Sequence, residues 1–163
     1  CARNPTSRKN VSGSLPPFTG LPGKAGCFMS HEEALSLLKL ADRDWEILQV
    51  LKDAERVHLS GVAFHAQQLV EKACKAVLSI QNLPFDRTHD LIRLARTLET
   101  AGMVLPVTVD DLAKLNPYAV IFRYDDADIE VITRDEAVKV AGLVREWAMQ
   151  IALNTKQIKR DQP

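Results

Sequence analysis

Long apolar runs and paired cysteines are both missing from this sequence. No run approaches the ~18 apolar residues that a membrane-spanning helix needs, which predicts a soluble protein. The three cysteines, Cys1, Cys27 and Cys74, show none of the close spacings, such as C-x-x-C, that bind zinc. Free thiols of this kind are typical of a reducing compartment, so we predict a cytoplasmic protein.

Motifs of the common cofactor and hydrolase sites are also missing. The seven glycines lie too far apart for a Walker or dinucleotide-binding phosphate loop. No E-x-x-H pair supports a metal site in a helical bundle, and no G-x-S-x-G turn indicates a serine hydrolase. The sequence therefore predicts no metal and no cofactor, and it disfavours the usual hydrolase classes.

The start of the chain carries basic residues and no acidic one. Residues 1–28 contain four basic residues and no acidic one, which leaves 17 basic against 21 acidic residues in the remainder, a net charge of −4. This balance disfavours a strongly basic domain that binds duplex nucleic acid.

Residues 1–28 also differ from the rest in composition. They hold four of the eight prolines and four of the seven glycines, and without a periodic apolar pattern they cannot offset the entropy of ordering. We predict a disordered leader over 1–28, with the natural protein starting at Met29; a functional basic tail is the alternative. The folded domain is predicted over 29–158, with a tail over 159–163.

Helix signals follow one another from Met29 onward. Ser30 and Glu33 have the spacing of a capping box, and an apolar stripe continues from there to about Glu55. A second helix is predicted over Leu59–Asn82, where Pro84 ends it.

Later helices have equally clear starts and stops. A third is predicted from an N-cap at Thr88 to a stop at Gly102. A short fourth one opens at Thr108, with Asp111 as its capping partner, and closes at Asn116 before a proline.

The stretch YAVIFRYDDADIEVI, residues 118–132, has the composition of a strand, but one isolated strand has nothing to pair with. We predict an ordered, partly buried loop there. A capping box at Thr133 and Glu136 opens the final amphipathic helix. The predicted fold is all-α, an antiparallel up-and-down bundle of four main helices plus one short helix.

Long hydrogen-bonding side chains interrupt the second helix, and two interpretations compete. They lie opposite a continuous apolar side, so they form either a solvated helix back with a Glu71 to Lys75 pair, or a surface that binds a ligand or partner. Phe64 and Leu78 project from the polar side, which favours the second interpretation. Gln68, Glu71 and Lys72 are its candidate contacts.

Three further candidates lie at helix edges. His89 stands at the start of the third helix, where backbone N–H groups can receive a phosphate; local capping by Thr88 and Asp90 is the alternative. Arg123 and Tyr124 follow an apolar run and suit a phosphate and a stacked base. An internal ion pair of Arg123 with a nearby aspartate is the alternative.

Taken in order, these segments resemble the HEPN family, the higher eukaryote and prokaryote nucleotide-binding domain, and its small prokaryotic members in particular. The segment AFHAQQLVEKACKAVL is similar to the family pattern A-x-x-A-Q-Q-x-x-E-K-x-x-K-A-x-L. THDL follows at the next helix start, and RYDDA resembles the family's R-Y-P-D segment. The resemblance covers about Ala34 to Ile151.

The resemblance implies a bundle of about five helices, a homodimer, and a neighbouring gene for a minimal nucleotidyltransferase in a toxin–antitoxin-type pair. Many members are metal-independent ribonucleases with an R-x4-6-H motif, in which arginine holds the phosphate and histidine moves protons. This sequence lacks that motif, because no histidine follows an arginine at the required distance, and Asp125 replaces the proline of R-Y-P-D.

We therefore expect a HEPN-like protein that binds a nucleotide or RNA through Gln68, Glu71, Lys72, His89, Arg123 and Tyr124 and acts with a nucleotidyltransferase. One alternative is a metal-independent ribonuclease with a non-standard site, for which His89 and Arg123 are the catalytic candidates. Another is a non-catalytic protein-interaction module.

Overall fold

The computed structural model describes residues 30–121 and 131–160, and this part of the chain is mainly helical. Its helices are α1 (His31–Leu51), α2 (Leu59–Ile80), α3 (Leu91–Thr100), α4 (Val109–Leu115), α5 (Tyr118–Ile121) and α6 (Arg134–Arg160). The predicted bundle of four main helices and one short helix is confirmed, and α5 adds a single turn. α1 stops before the predicted Glu55. Among the described residues, no helix has both the length and the apolar character needed to cross a membrane.

Capping boxes begin α1, α4 and α6 at the positions predicted. At the start of α1, the backbone N–H of Glu33 donates to Ser30 Oγ at 3.2 Å, and the N–H of Ser30 donates to the Glu33 carboxylate at 2.6 Å. The same exchange occurs at the starts of α4 and α6. Each box supplies acceptors for backbone donors that the helix itself leaves unpaired.

α2 ends two residues before the predicted boundary of Leu59–Asn82. Its last helical residue is Ile80, and Asn82 takes a φ of 53°. The N–H groups of Asn82 and Leu83 donate back to carbonyls of the last turn, at 3.1 and 2.9 Å. This Schellman arrangement ends the helix before Pro84 is reached.

α3 starts later than predicted, because Asp90 rather than Thr88 is its N-cap. The Asp90 carboxylate accepts from the N–H groups of Ile92 and Arg93 at 3.0 and 3.3 Å. The hydroxyl of Thr88 accepts from the Asp90 N–H at 3.0 Å. At the other end Gly102 has a φ of 76°, so the predicted stop at Gly102 is confirmed.

Two arginines of α6 fix its direction against α1. Arg134, at the start of α6, donates to the carbonyl oxygens of Leu51 and Val57, both at 2.6 Å. Further along, Arg145 Nε donates to Asp42 at 2.7 Å. α6 therefore begins where α1 ends and runs antiparallel to it, and Arg134 adds a side-chain donor to the Leu51 carbonyl, which also accepts from the N–H of Ala54 at 3.1 Å.

α2 lies at the centre of the bundle and packs against α1, α3, α5 and α6. Its small residues Ala63, Ala66, Ala73 and Ala76 are fully buried, as is Cys74, which the sequence placed on a core face. Leu78, Gln67, Glu71 and Ser79 are buried as well. The polar side of α2 is therefore solvated only in part, and the predicted Glu71 to Lys75 pair is present at 2.7 Å.

The predicted loop over 118–132 is described only at its ends, and the prediction is wrong for 118–121, which form the helical turn α5. Tyr118 is buried within α5, and Ile132 is buried just before α6. Residues 122–130 lie outside the described residues, as does the predicted leader over 1–28. Both expectations stay predictions.

Candidate ligand-binding site

The solvent-facing side of α2 is one narrow strip. From Gly61 to Ile80, the residues that keep partial exposure share one helix face, and apart from the adjacent pair Phe64 and His65 they recur at steps of three or four positions. We call them the α2 strip: Gly61, Phe64, His65, Gln68, Lys72 and Lys75. Most of these side chains are polar or cationic, so the strip has the chemistry of a binding surface.

Asp44 of α1 fixes one end of the strip. Its buried carboxylate accepts from Lys72 Nζ at 2.6 Å through Oδ2 and from His65 Nδ1 at 3.0 Å through Oδ1. An ionised carboxylate only accepts, so Nδ1 of His65 carries the proton. The ring of Phe64 lies edge-on to that of His65, with centroids 5.3 Å apart. We call Asp44, His65 and Lys72 the Asp44 cluster.

Glu71 fixes the other end. Its carboxylate, with the side chain 7% exposed, accepts from Lys75 Nζ at 2.7 Å, and from His89 Nδ1 and Gln67 Nε2 at 3.1 Å. The imidazole of His89 is 74% exposed. Because Nδ1 donates to Glu71, the neutral ring keeps its lone pair on Nε2, which can accept a proton. Glu71, Lys75 and His89 form the Glu71 cluster.

Two adjacent glutamines connect the clusters. Gln68 accepts from Lys72 Nζ at 3.3 Å and donates to Gln67 Oε1 at 2.8 Å. Gln67 in turn donates to Glu71 and to the backbone carbonyl of His89, both at 3.1 Å. Hydrogen bonds therefore run without a break from Asp44 to His89.

Both buried carboxylates are held in the charged form. Burial raises the pKa of Asp44, but hydrogen bonds and charges from His65 and Lys72 outweigh it, so the pKa lies below its ordinary value. Burial likewise raises the pKa of Glu71, and Lys75, with hydrogen bonds from Gln67 and His89, lowers it further than burial raises it. The site thus contains two fixed negative charges under its cationic side chains.

The thiol of Cys74, next to this network, gains no contact that lowers its pKa. Burial, together with the charge of Glu71, raises the pKa of Cys74 to about 12. The thiol is therefore neutral at physiological pH and is not a nucleophile.

Backbone donors at the start of α3 are already paired. The N–H of Leu91 donates to Asn116 Oδ1 at 2.8 Å, and Asp90 accepts from the next two N–H groups. Asn116 also donates to Asp90 at 3.3 Å. A phosphate therefore finds no free donor in the first turn, and His89 can contact a ligand only through its side chain.

The structure brings together four of the six predicted contact residues. Gln68, Glu71, Lys72 and His89 belong to one hydrogen-bonded network, although Glu71 lies beneath the surface rather than on it. Arg123 and Tyr124 lie outside the described residues, so their part in the site stays a prediction.

The sequence-based list of contacts missed Asp44, His65, Gln67 and Lys75. Asp44 carried a readable signal, because it lies in the apolar stripe of α1, between Ala41 and Leu48 at helical spacing. A charged residue in a buried stripe requires a partner. Its partners come from α2, 21 and 28 residues further along the chain, and local patterns do not show such pairs.

Other parts of the described chain offer less support for a ligand-binding site. A hollow of about 530 Å³ between α4 and α6 shares no residue with the α2 strip, and its carboxylates, Asp111 and Glu136, are engaged as helix caps. In residues 30–121 and 131–160, no three or more His, Cys, Asp or Glu side chains are arranged to bind a metal ion.

Comparisons with known proteins agree with this architecture. The profile of the HEPN domain matches residues 27–152. A crystal structure described as an archaeal HEPN homologue aligns with a TM-score of 0.52 at 24% sequence identity, and the alignment covers 72% of this chain and 97% of that one. No curated protein matches the chain. Because the profile spans most of the sequence, the chain belongs to the HEPN domain family.

Proposed function

We propose that this protein binds a nucleotide or RNA along the α2 strip and at His89. The observation that carries the proposal is the Glu71 cluster. A buried carboxylate fixes an exposed imidazole at 3.1 Å and an ammonium group at 2.7 Å. Side chains fixed by buried partners lose little further freedom when a ligand binds, which favours binding.

Phosphate and base recognition can be assigned to different members of the strip. Lys72 and Lys75 supply ammonium donors that suit phosphate oxygens. Phe64 and the imidazole rings offer flat faces for bases, and base stacking contributes about 1–3 kcal/mol per base. Arg123 and Tyr124 are proposed as further phosphate and base contacts.

Binding to single-stranded RNA tests this function. Fluorescence anisotropy with a labelled oligonucleotide should show saturable binding that weakens about tenfold in His89→Ala. Because His89 is exposed, this variant leaves the core intact. His31→Ala, a histidine outside the network, is the matched control and should bind as the wild type does. Equal binding by both variants would exclude His89 from the site.

A second candidate function is metal-independent RNA cleavage, the non-standard ribonuclease considered above. It is favoured by the fixed tautomer of His89, because a lone pair on Nε2 can take the proton of a ribose hydroxyl. Incubation of RNA with the protein and a chelator should then yield fragments, and His89→Ala should abolish cleavage. No cleavage at any protein concentration would limit the function to binding.

We further propose that the protein is a cytoplasmic homodimer that acts with a minimal nucleotidyltransferase in a toxin–antitoxin-type pair. Support comes from the small prokaryotic HEPN proteins that the sequence resembles. If the proposal holds, a nucleotidyltransferase encoded beside this gene should co-elute with the protein in size-exclusion chromatography. Separate elution would contradict the pairing, and tight pairing without any ligand would favour the protein-interaction module.

The dimer has its own test. Light scattering should give twice the 18.1 kDa chain mass for the protein alone.

A further inference from the structure

The Asp44 cluster is built in the same way as the Glu71 cluster, to which Gln68 and Gln67 connect it. Each consists of a buried carboxylate that holds one lysine and one histidine. Along α2 the Asp44 cluster runs from His65 to Lys72 and the Glu71 cluster from Glu71 to Lys75, so the outer ends His65 and Lys75 are ten positions, about 15 Å, apart. The two histidines bond different carboxylates, His65 that of Asp44 and His89 that of Glu71.

Donor capacity in the Asp44 cluster exceeds what the protein uses. The ammonium group of Lys72 has three N–H donors, and its acceptors in the described structure are Asp44 Oδ2 and Gln68 Oε1. His65 uses its Nδ1–H for Asp44, and its Nε2 supplies a further donor when the ring is protonated. Both side chains are partly exposed, at 21% for Lys72 and 25% for His65.

Charge in the cluster suits an anion. Lys72 is the cation of the cluster, and an anion bound beside it favours the imidazolium form of His65, which gives the cluster two positive charges against the one negative charge of Asp44. Asp44 accepts from His65 through Oδ1 and from Lys72 through Oδ2. Its carboxylate therefore fixes both side chains beside the same stretch of the strip. We propose that Lys72 and His65 form a second oxyanion subsite that binds a phosphate group of the ligand.

The consequence for the ligand rests on the proposed function. With one phosphate at the Glu71 cluster and another at the Asp44 cluster, a ligand that carries two linked phosphates binds more tightly than one that carries a single phosphate, because the second contact becomes intramolecular. The chemical class is thus an oligonucleotide rather than a mononucleotide.

Nuclear magnetic resonance of the imidazole side chains separates the two sites. Titration with inorganic phosphate, uridine monophosphate and the 5′-phosphorylated uridine dinucleotide should shift the signals of both His65 and His89. Lys72→Met should remove the response of His65 and leave that of His89. Lys72→Arg, which keeps charge and donors, should restore it, and Lys39→Met on exposed α1 surface is the control.

Affinities provide a second readout. Lys72→Met should weaken dinucleotide binding about tenfold and bring its Kd close to that of the monophosphate. His65→Gln, which can still donate to Asp44, should weaken it in the same direction without loss of fold. A response of His89 alone in the wild type would overturn the second subsite and leave the proposed function standing. A response of His65 alone would exclude His89 from the site and leave the Lys72 and His65 subsite standing, and no response of either histidine would contradict both proposals.

Discussion

Buried carboxylates give the α2 strip its chemistry at the scale of single residues. Removing an ionised carboxylate from water costs several kcal/mol unless partners offset it. Asp44 and Glu71 each gain a lysine and a histidine within 3.1 Å, and Glu71 also accepts from Gln67. The same contacts that make burial tolerable also hold the cationic side chains in fixed positions at the surface.

Removing one of these charges should destabilise the fold. Glu71→Gln leaves Lys75 without its carboxylate, and we expect the free energy of unfolding to fall by about 2 kcal/mol. Urea denaturation at neutral pH measures the loss. Glu99→Gln, at an exposed position of α3, is the matched control and should change it by less than about 0.5 kcal/mol. Equal effects in the two variants would show that the Glu71 cluster adds no stability.

Acid should lower the free energy of unfolding through Asp44 and Glu71. The pKa values of Asp44 and Glu71 lie below their ordinary values of 3.8 and 4.5, so the unfolded chain takes up protons before the folded one. The stabilisation is therefore complete at neutral pH and is lost as the pH falls through those ordinary values towards the lowered ones. Urea midpoints measured down to about pH 3 should fall more steeply for the wild type than for Asp44→Asn. Parallel curves would contradict the role of Asp44.

At the scale of elements, helix packing decides whether a position has room for a side chain, and two helical glycines show it. A Cβ added at Gly142 of α6 would lie 3.0 Å from Trp45 Cη2, whereas one at Gly61 of α2 would meet Val57 Cγ1 at an ordinary 3.6 Å. The contact between α1 and α6 thus depends on a missing side chain, and the start of α2 does not.

A matched pair of alanine substitutions tests this difference. Gly61→Ala should raise the free energy of unfolding by about 0.5–1 kcal/mol, because alanine favours the helix. Gly142→Ala should give no such gain, since the Trp45 ring has to shift under Arg145, which lies 5.6 Å from it. Thermal and urea unfolding of both variants provide the comparison. A gain of equal size at Gly142 would show that Trp45 moves freely.

The end of α3 offers a test that depends only on backbone conformation. Gly102 has a φ of 76°, and an added Cβ there would touch nothing within 4 Å. Gly102→Ala should therefore lower the free energy of unfolding by about 1 kcal/mol through conformation alone. Gly102→Asn should lower it less, because asparagine tolerates this region, as Asn82 does at the end of α2. Equal losses would point to a cause other than φ.

For the whole molecule, local signals predicted the bundle well. Helix starts at Ser30 and Thr108 were predictable because a capping box involves residues only three positions apart. The start of α3 was misplaced because Thr88 and Asp90 both suit an N-cap, and only the fold, with Asn116 beside Asp90, decides between them.

The candidate site was predictable only in part, for a physical reason. The polar residues of α2 could be identified from their spacing, but spacing cannot show that Glu71 is buried and Lys72 is not. That difference depends on α1 and on the chain around His89, which approach α2 from distant parts of the sequence. The pairing of Asp44 with Lys72 spans 28 positions, so only the tertiary structure reveals it.

The central claim is that the α2 strip and His89 form the ligand-binding surface. Backbone amide shifts of ¹⁵N-labelled protein during titration with single-stranded RNA test it most directly. We predict shifts along residues 61–75 and at 88–91, with little change around the hollow lined by Leu105 and Leu143. Shifts confined to that hollow, or none at saturating RNA, would contradict the claim.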